Sequence, residues 1–330
     1  MIFGKSFVRM LAMGAAVFAS GMAFAQMPGE GKAVQPIVSG QINHVFQHEI
    51  IRLGLEALGY EVKPALEADY PALHLAISEG QADYTANHWV LLQRSFYDAA
   101  DGDKTMERVG LYIANARQGY YIDKATADKY NIKSLDQFAS PEIAKLFDSD
   151  GDGKANLAGC NPGWGCEREI EHQLDAYKLR GAVTHDQGSY FALIADLLTR
   201  YKAGQPIFYY TWSPLWVGAV LQPGRDVVQL NVPFSAATNG SDTALPDGTN
   251  PGFAVDDIVV LANKKFLADN PAAKKFFELA KLPIDDVNAE ILREHDGGDK
   301  PEQISQHAED WVAKHQAEFD GWVKEAATAK

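Results

Sequence analysis

The sequence is short of cysteine, of long apolar runs and of positive charge. Its 330 residues include two cysteines, Cys160 and Cys166, so neither a multi-disulfide scaffold nor a four-cysteine zinc site can be built. Lys and Arg number 30 against 44 Asp and Glu, a formal net charge of −14 with histidine neutral. An acidic surface disfavours nucleic acid and anionic membrane as partners, because both call for a cationic face. No stretch reaches the roughly 20 apolar residues of a bilayer span. Gly-x-Ser-x-Gly, His-Glu-x-x-His, phosphate-loop and Gly-x-Gly-x-x-Gly patterns are missing, and the nine histidines show no metal-ligand spacing. These gaps weigh against an enzyme, and no cofactor is expected. There is also no internal repeat or low-complexity linker.

What is present begins with a secretory signal in residues 1–25. Lys5 and Arg9 form a basic start, residues 10–22 are apolar or small, and Ala23-Phe24-Ala25 is a small-x-small cleavage site before Gln26. With no cysteine at that point to carry a lipid, the expectation is a free periplasmic protein cleaved after Ala25. The signal holds two basic and no acidic residues, so the mature chain is more acidic still. An oxidising compartment favours a disulfide between Cys160 and Cys166 over metal or redox work, and Cys-x5-Cys is not the Cys-x-x-Cys of an oxidoreductase.

The mature length is too great for one ordinary core and suggests two lobes. Short β-rich runs alternate with amphipathic helices. Strands are expected at 33–38, 60–63 and 82–86, with helices at 43–58 and 70–78 between them. This β-α-β-α-β run implies a parallel sheet, whose ligands bind beyond the carboxyl ends of the strands, and Trp89 follows such an end. Further strands are expected at 118–122 and 257–262, and in the apolar run that starts at Pro206 and leads into Tyr210-Thr211-Trp212-Ser213-Pro214. Helices are expected from 134, at 167–178, 189–202 and 270–279, and as one long segment at 304–326 whose Trp311, Phe319 and Trp322 form a core stripe.

Residues 148–156 read Asp-Ser-Asp-Gly-Asp-Gly-Lys-Ala-Asn, much of an EF-hand-type loop, with oxygen ligands in Asp148, Asp150, Asp152 and Asn156. Position 12 is Gly159 where such loops place a bidentate Glu, so a solvated turn is the simpler reading and no metal is expected. A calcium-assisted exported hydrolase rests on this incomplete loop alone.

The segment Gly159-Cys160-Asn161-Pro162-Gly163-Trp164-Gly165-Cys166 is the most informative. Its plain reading is a disulfide staple. Yet Trp164 stands between glycines, which permit close backbone approach, so the Gly165 and Cys166 N–H groups are free to face a ligand that the indole covers. Trp89 and Trp212 also lie at strand ends; of Trp212 and Trp216, Trp212 is favoured for a site and Trp216 for packing. Converging indoles suit a cation with no hydrogens to donate, a quaternary ammonium, at ~0.5–2 kcal/mol per face. The backbone N–H groups would complement a carboxylate on the same ligand.

These residues closely resemble the periplasmic glycine betaine/proline betaine-binding receptors of osmoprotectant ABC importers, the ProX family, over nearly the whole mature chain. The resemblance is carried by Ile143-Ala144-Lys145-Leu146-Phe147-Asp148, Gly151-Asp152-Gly153-Lys154-Ala155, the Cys160–Cys166 loop, Phe208-Tyr209-Tyr210-Thr211-Trp212 and Phe319-Asp320-Gly321-Trp322-Val323. It implies an α/β, two-lobed type II periplasmic binding protein fold with mixed sheets flanked by helices and the ligand in the interlobe cleft. Lobe one would be residues 26–115 plus 251–330, and lobe two residues 116–250. The resemblance further implies a box of Trp89, Trp164 and Trp212, carboxylate donors at Gly165 and Cys166, a Cys160–Cys166 disulfide, a monomer, and delivery to an ABC permease in the inner membrane. One position departs: the family's histidine four residues after its first box tryptophan is Gln93 here. A neutral amide still donates an N–H, but a charge-assisted bond is worth up to about 3 kcal/mol against about 1 for a neutral one, and the pH dependence of a histidine is lost. Glycine betaine is therefore expected first, then proline betaine, then another zwitterionic or sulfonium osmolyte. Choline would leave the Gly165 and Cys166 donors unused.

Overall fold

The computed structural model describes residues 27–40 and 44–330, and the expected signal sequence lies outside them. Its strands are β1 Ala33–Val34, β2 Ile37–Val38, β3 Glu61–Val62, β4 Leu66–Glu67, β5 Tyr84–Trp89, β6 Met106–Asp123, β7 Ala155–Ala158, β8 Val183–Asp186, β9 Phe208–Ser213, β10 Val227–Gln229 and β11 Asp256–Asn263.

Strand β6 organises them. It is 18 residues long, and buried Val109, Tyr112, Ile113, Ala116, Tyr120 and Ile122 recur along it between more exposed residues. Its first part pairs antiparallel with β11 from Met106 to Ala116, and its second part pairs antiparallel with β9 from Arg117 to Ile122. Where the partner changes, Asn115 takes a left-handed φ of 64° and the β6–β11 register slips between Asp256 and Ile258. The sheet order is β5-β11-β6-β9-β7-β8, with β10 also on β6. Helices Val45–Ala57, Pro271–Leu279, Pro301–Lys314 and Gln316–Ala326 pack together beside the β5–β11–β6 half. Helices Gly165–Ala176 and Tyr190–Lys202 cover the β7–β8 side.

The structure corrects three expectations. The parallel sheet of the N-terminal run shrinks to two short pairings, β1 with β3 and β2 with β4, and a single parallel bridge from Pro36 to Tyr84 at the start of β5, while β5 along its length lies antiparallel to β11. Pro36, which has no N–H to donate, divides the 33–38 run, and the neighbour of β5 comes from far along the chain. The expected short strand at 118–122 is the second half of β6. The C-terminal segment is two helices that meet at His315, whose Nδ1 lies 2.9 Å from the Trp311 carbonyl oxygen. The aromatic stripe survives the break: Trp322 lies 6.4 Å from both Trp311 and Phe276, ring centre to ring centre.

Helix Ile284–His295, not anticipated from the sequence, buries Glu294 with no hydrogen-bond partner on either carboxylate oxygen. Burial, reinforced by Glu290 and Asp299, pushes its carboxyl from 4.5 up to about 8. The folded value is the higher one, so protonation favours the fold. That contribution is complete below the unfolded value and is lost as pH rises through about 8. Glu294→Gln should raise Tm by about 2–4 °C at pH 9, and much less at pH 5, as read by calorimetric melting. Equal shifts at both pH values would contradict this account.

Candidate functional site

One pocket gathers side chains from both parts of the main sheet. Strand β5 ends in Asn87-His88-Trp89, and the side-chain alternation of a strand sends Asn87 and Trp89 to the pocket and His88 to the opposite face. The chain then turns back tightly, the Gln93 N–H donating to the Trp89 carbonyl at 3.0 Å, which returns Gln93 and Leu92 to the same wall. Ile258, paired with Trp89 across β11, completes it.

Gln93 is 2% exposed, and its carboxamide faces the Tyr70 hydroxyl and the His88 imidazole. His74 Nδ1 lies 2.7 Å from the Tyr70 carbonyl, an acceptor only, so this nitrogen carries the proton. His74 Nε2 then accepts from His88 Nδ1 at 3.1 Å. His88 Nε2 is left as an acceptor turned to the Gln93 carboxamide. A carboxamide orientation that points Gln93 Nε2 at His88 satisfies the imidazole. Burial lowers His74 to about 4 and holds His88 well below 6.5, so the chain of groups behind Gln93 is neutral at ordinary pH.

From the other part of the sheet, β9 presents Tyr210 and Trp212, two residues apart on one face. Tyr210 donates its hydroxyl to Gln118 Oε1 at 2.6 Å. Trp212 packs 4.6 Å from Tyr190, whose hydroxyl lies 2.9 Å from Thr211 Oγ1. Trp164 meets Trp212 edge to face, 5.9 Å apart at 78°, so two indoles form a corner of the pocket and Trp89 contributes the third from β5.

Trp164 is held by a braced loop. Cys160 and Cys166 form a disulfide with Cα atoms 6.1 Å apart, Asn161 Oδ1 accepts from the Tyr190 N–H, and the Cys160 N–H donates to His185 Nε2 at 3.1 Å. Gly165 opens helix Gly165–Ala176, and the preceding Trp164 supplies no side-chain cap. The first N–H groups of this helix have no helical acceptors and carry its positive end. A Cβ on Gly165 would fall 2.6 Å from the Leu92 carbonyl oxygen, so only glycine lets these two walls approach.

Every residue proposed from the sequence for the ligand, Trp89, Gln93, Trp164, Gly165, Cys166 and Trp212, lines this pocket. So do Gln47, Tyr70, Asn87, Leu92, Tyr210, Pro214 and Ile258, which sequence reasoning missed. Strand alternation with Trp89 and Trp212 could have found Asn87 and Tyr210; Gln47, Tyr70 and Ile258 arrive from distant elements without a local signal. No lining residue bears a charge at neutral pH. Trp216 lies elsewhere and stacks on His295 at 3.7 Å, while Leu215 N–H donates to Asn288 Oδ1. In the acidic loop the Asp148, Asp150 and Asp152 oxygens lie within 4.8 Å of one another. Asp148 accepts the Gly151 and Gly153 N–H groups, and Asn156 sits in β7 with Oδ1 accepting from Ser149 N–H, so these oxygens already hold the turn closed.

Residues 34–314 match the family described as the substrate binding domain of ABC-type glycine betaine transport system, and the chain belongs to that family. It is 48% identical, over 93% of both chains, to the glycine betaine/proline betaine-binding periplasmic protein of Escherichia coli strain K12. It is 47% identical, over 92% of both, to the glycine betaine-binding periplasmic protein OusX of Dickeya dadantii. Among solved structures it resembles an ABC-transporter choline binding protein in complex with choline, with TM-score 0.70 and 18% identity over 89% of this chain and 92% of that one. Lactococcal OpuAC, closed on glycine betaine, follows with TM-score 0.66 and 21% identity over 88% and 99%. These likenesses show the two-lobed type II periplasmic binding protein fold expected from the sequence.

The Cys160–Cys166 loop closes over a sequence separation of 6, for which loop entropy alone gives about 2 kcal/mol. Replacing both cysteines by serine should therefore lower the denaturant-unfolding free energy by about 2 kcal/mol. An unchanged midpoint would show that the loop is held by its hydrogen bonds and not by the disulfide.

Proposed function

We propose that this chain is a periplasmic receptor that captures glycine betaine, with proline betaine second, and presents it to an ABC permease in the inner membrane. The observation that carries this reading is the edge-to-face pair of Trp164 and Trp212 beside Trp89 in a pocket without charged side chains, next to an uncapped helix N-terminus. A trimethylammonium group carries positive charge but donates no hydrogen bond, so indole faces stabilise it where carbonyls or hydroxyls would go unused, at ~0.5–2 kcal/mol per face. The carboxylate of the same molecule would lie on the Gly165 and Cys166 N–H groups, where the helix end favours an anion, with a third donor from the Gln93 carboxamide. Choline offers the cation without the carboxylate and would leave these donors unpaired.

Lobe one, in this reading, is residues 26–115 plus 251–330 and lobe two is residues 116–250. The change of β6 partner from β11 at Ala116 to β9 at Arg117 supports a hinge there. Ligand touching both lobes selects the closed form, which the permease would recognise. The receptor acts as a monomer, with its signal removed after Ala25. Trp164→Ala should weaken glycine betaine binding at least tenfold by calorimetry, about the loss of one desolvated face, while Tm stays within a few degrees. An unchanged dissociation constant would remove the tryptophan box.

A further inference from the structure

Asp256 begins β11 opposite Ala116, where β6 changes partner. Its side chain lines a small cavity beside the pocket, and the residue is 2% exposed. Oδ1 accepts the Leu91 N–H and the Asp257 N–H at 2.9 and 2.8 Å, and Oδ2 accepts the Leu92 N–H at 2.9 Å. Leu91 and Leu92 form the turn between Trp89 and Gln93. The same turn meets the facing elements: Asn239 Nδ2 donates to the Leu91 carbonyl at 3.4 Å, and the Leu92 carbonyl lies against Gly165. One buried carboxylate therefore ties the crossing segment to the turn that aims two pocket residues and makes the cross-cleft contact.

We propose that Asp256 is a positioning residue for ligand capture: ionised, it holds the Trp89–Gln93 turn against β11, and protonation releases that turn, so that ligand binding expels a proton. This rests on the ligand reading above. An ionised carboxylate accepts with both oxygens, whereas a protonated one presents an O–H to the N–H groups converging on it. Burial pushes the Asp256 carboxyl up to about 6, the three N–H groups oppose that, and Asp257 adds to the rise. Asp257 itself accepts from the Asn115 N–H at 3.3 Å. Glu169, the other ionisable residue lining the cavity, is held by the Thr238 N–H and hydroxyl. A ligand that needs the tied turn favours the ionised form. Affinity is then complete above about pH 7 and falls as pH drops through 6, about tenfold weaker at pH 5.

The test is calorimetric titration with glycine betaine at pH 6 in buffers of different ionisation enthalpy, beside hydrogen exchange of the Leu91 and Leu92 amides in the ligand-free protein at pH 5 and 7.5, corrected for intrinsic rates. The expected result is proton release on binding and amide protection that is lost at pH 5. Asp256→Asn, which keeps one acceptor oxygen but cannot titrate, should remove the pH dependence of both. Wild-type binding without proton release, release that persists in Asp256→Asn, or amide protection unaffected by pH would overturn the proposal. If glycine betaine does not bind at any pH, the ligand reading fails, and the amide exchange still decides the role of Asp256.

Discussion

The continuity of β6 is the constraint on which the rest of the structure depends. A single strand serves β11 along its first part and β9 along its second, so the two parts of the sheet share a backbone at its changeover. Every pocket wall hangs from that arrangement. Trp89 reaches the cleft because β5 pairs with β11, Trp212 because β9 pairs with β6, and Asp256 because β11 begins where the changeover occurs. The left-handed Asn115 and the slipped register lie at the same place, where a regular ladder would resist bending.

The pocket handles charge without charged side chains. An acidic residue against a quaternary ammonium would attract it strongly but would also attract metal ions and primary amines, and would pay its own desolvation when empty. Indole faces and an uncapped helix end are fixed, weakly hydrated dipoles, and they cost little to leave unoccupied. The supports behind them are neutral too. His74 and His88 are held uncharged by burial, the Tyr210 hydroxyl donates a hydrogen bond to Gln118 Oε1, and the Tyr190 hydroxyl donates to Thr211 Oγ1 and the Tyr210 carbonyl. Gln93 continues this pattern with a neutral carboxamide, and Asp256 is the ionisable group that accepts the N–H groups of the pocket turn.

Much of the site was legible in the sequence because its chemistry is concentrated in short, compositionally odd stretches. The Cys160–Cys166 loop and the Phe208–Trp212 strand announce themselves through tryptophan beside glycine or at a strand end, and both reach the pocket. Less visible were groups whose role depends on pairing across the chain. Asp256 reads as an ordinary strand-edge acid, and Gln47 and Tyr70 as helix residues, until β11 and the N-terminal helices are folded against β5. The fold followed the same division. Helix positions with strong periodicity, such as Tyr70–Ser78, matched closely, whereas the strand order did not, since the neighbour of β5 is set by a segment more than a hundred residues away. His315 gives no sequence cue strong enough to break a helix, and the division there follows from packing Trp311 and Trp322 against one core.

The central claim is that the pocket selects a molecule carrying both a quaternary ammonium and a carboxylate. Parallel calorimetric titration of the mature protein with glycine betaine, choline and proline at pH 7.5 tests it most directly. The account predicts tight binding of glycine betaine, with choline weaker for want of a carboxylate and proline weaker for want of the methylated ammonium. Choline binding as tightly as glycine betaine would show that the Gly165 and Cys166 donors take no part, and no heat with glycine betaine would contradict the account outright.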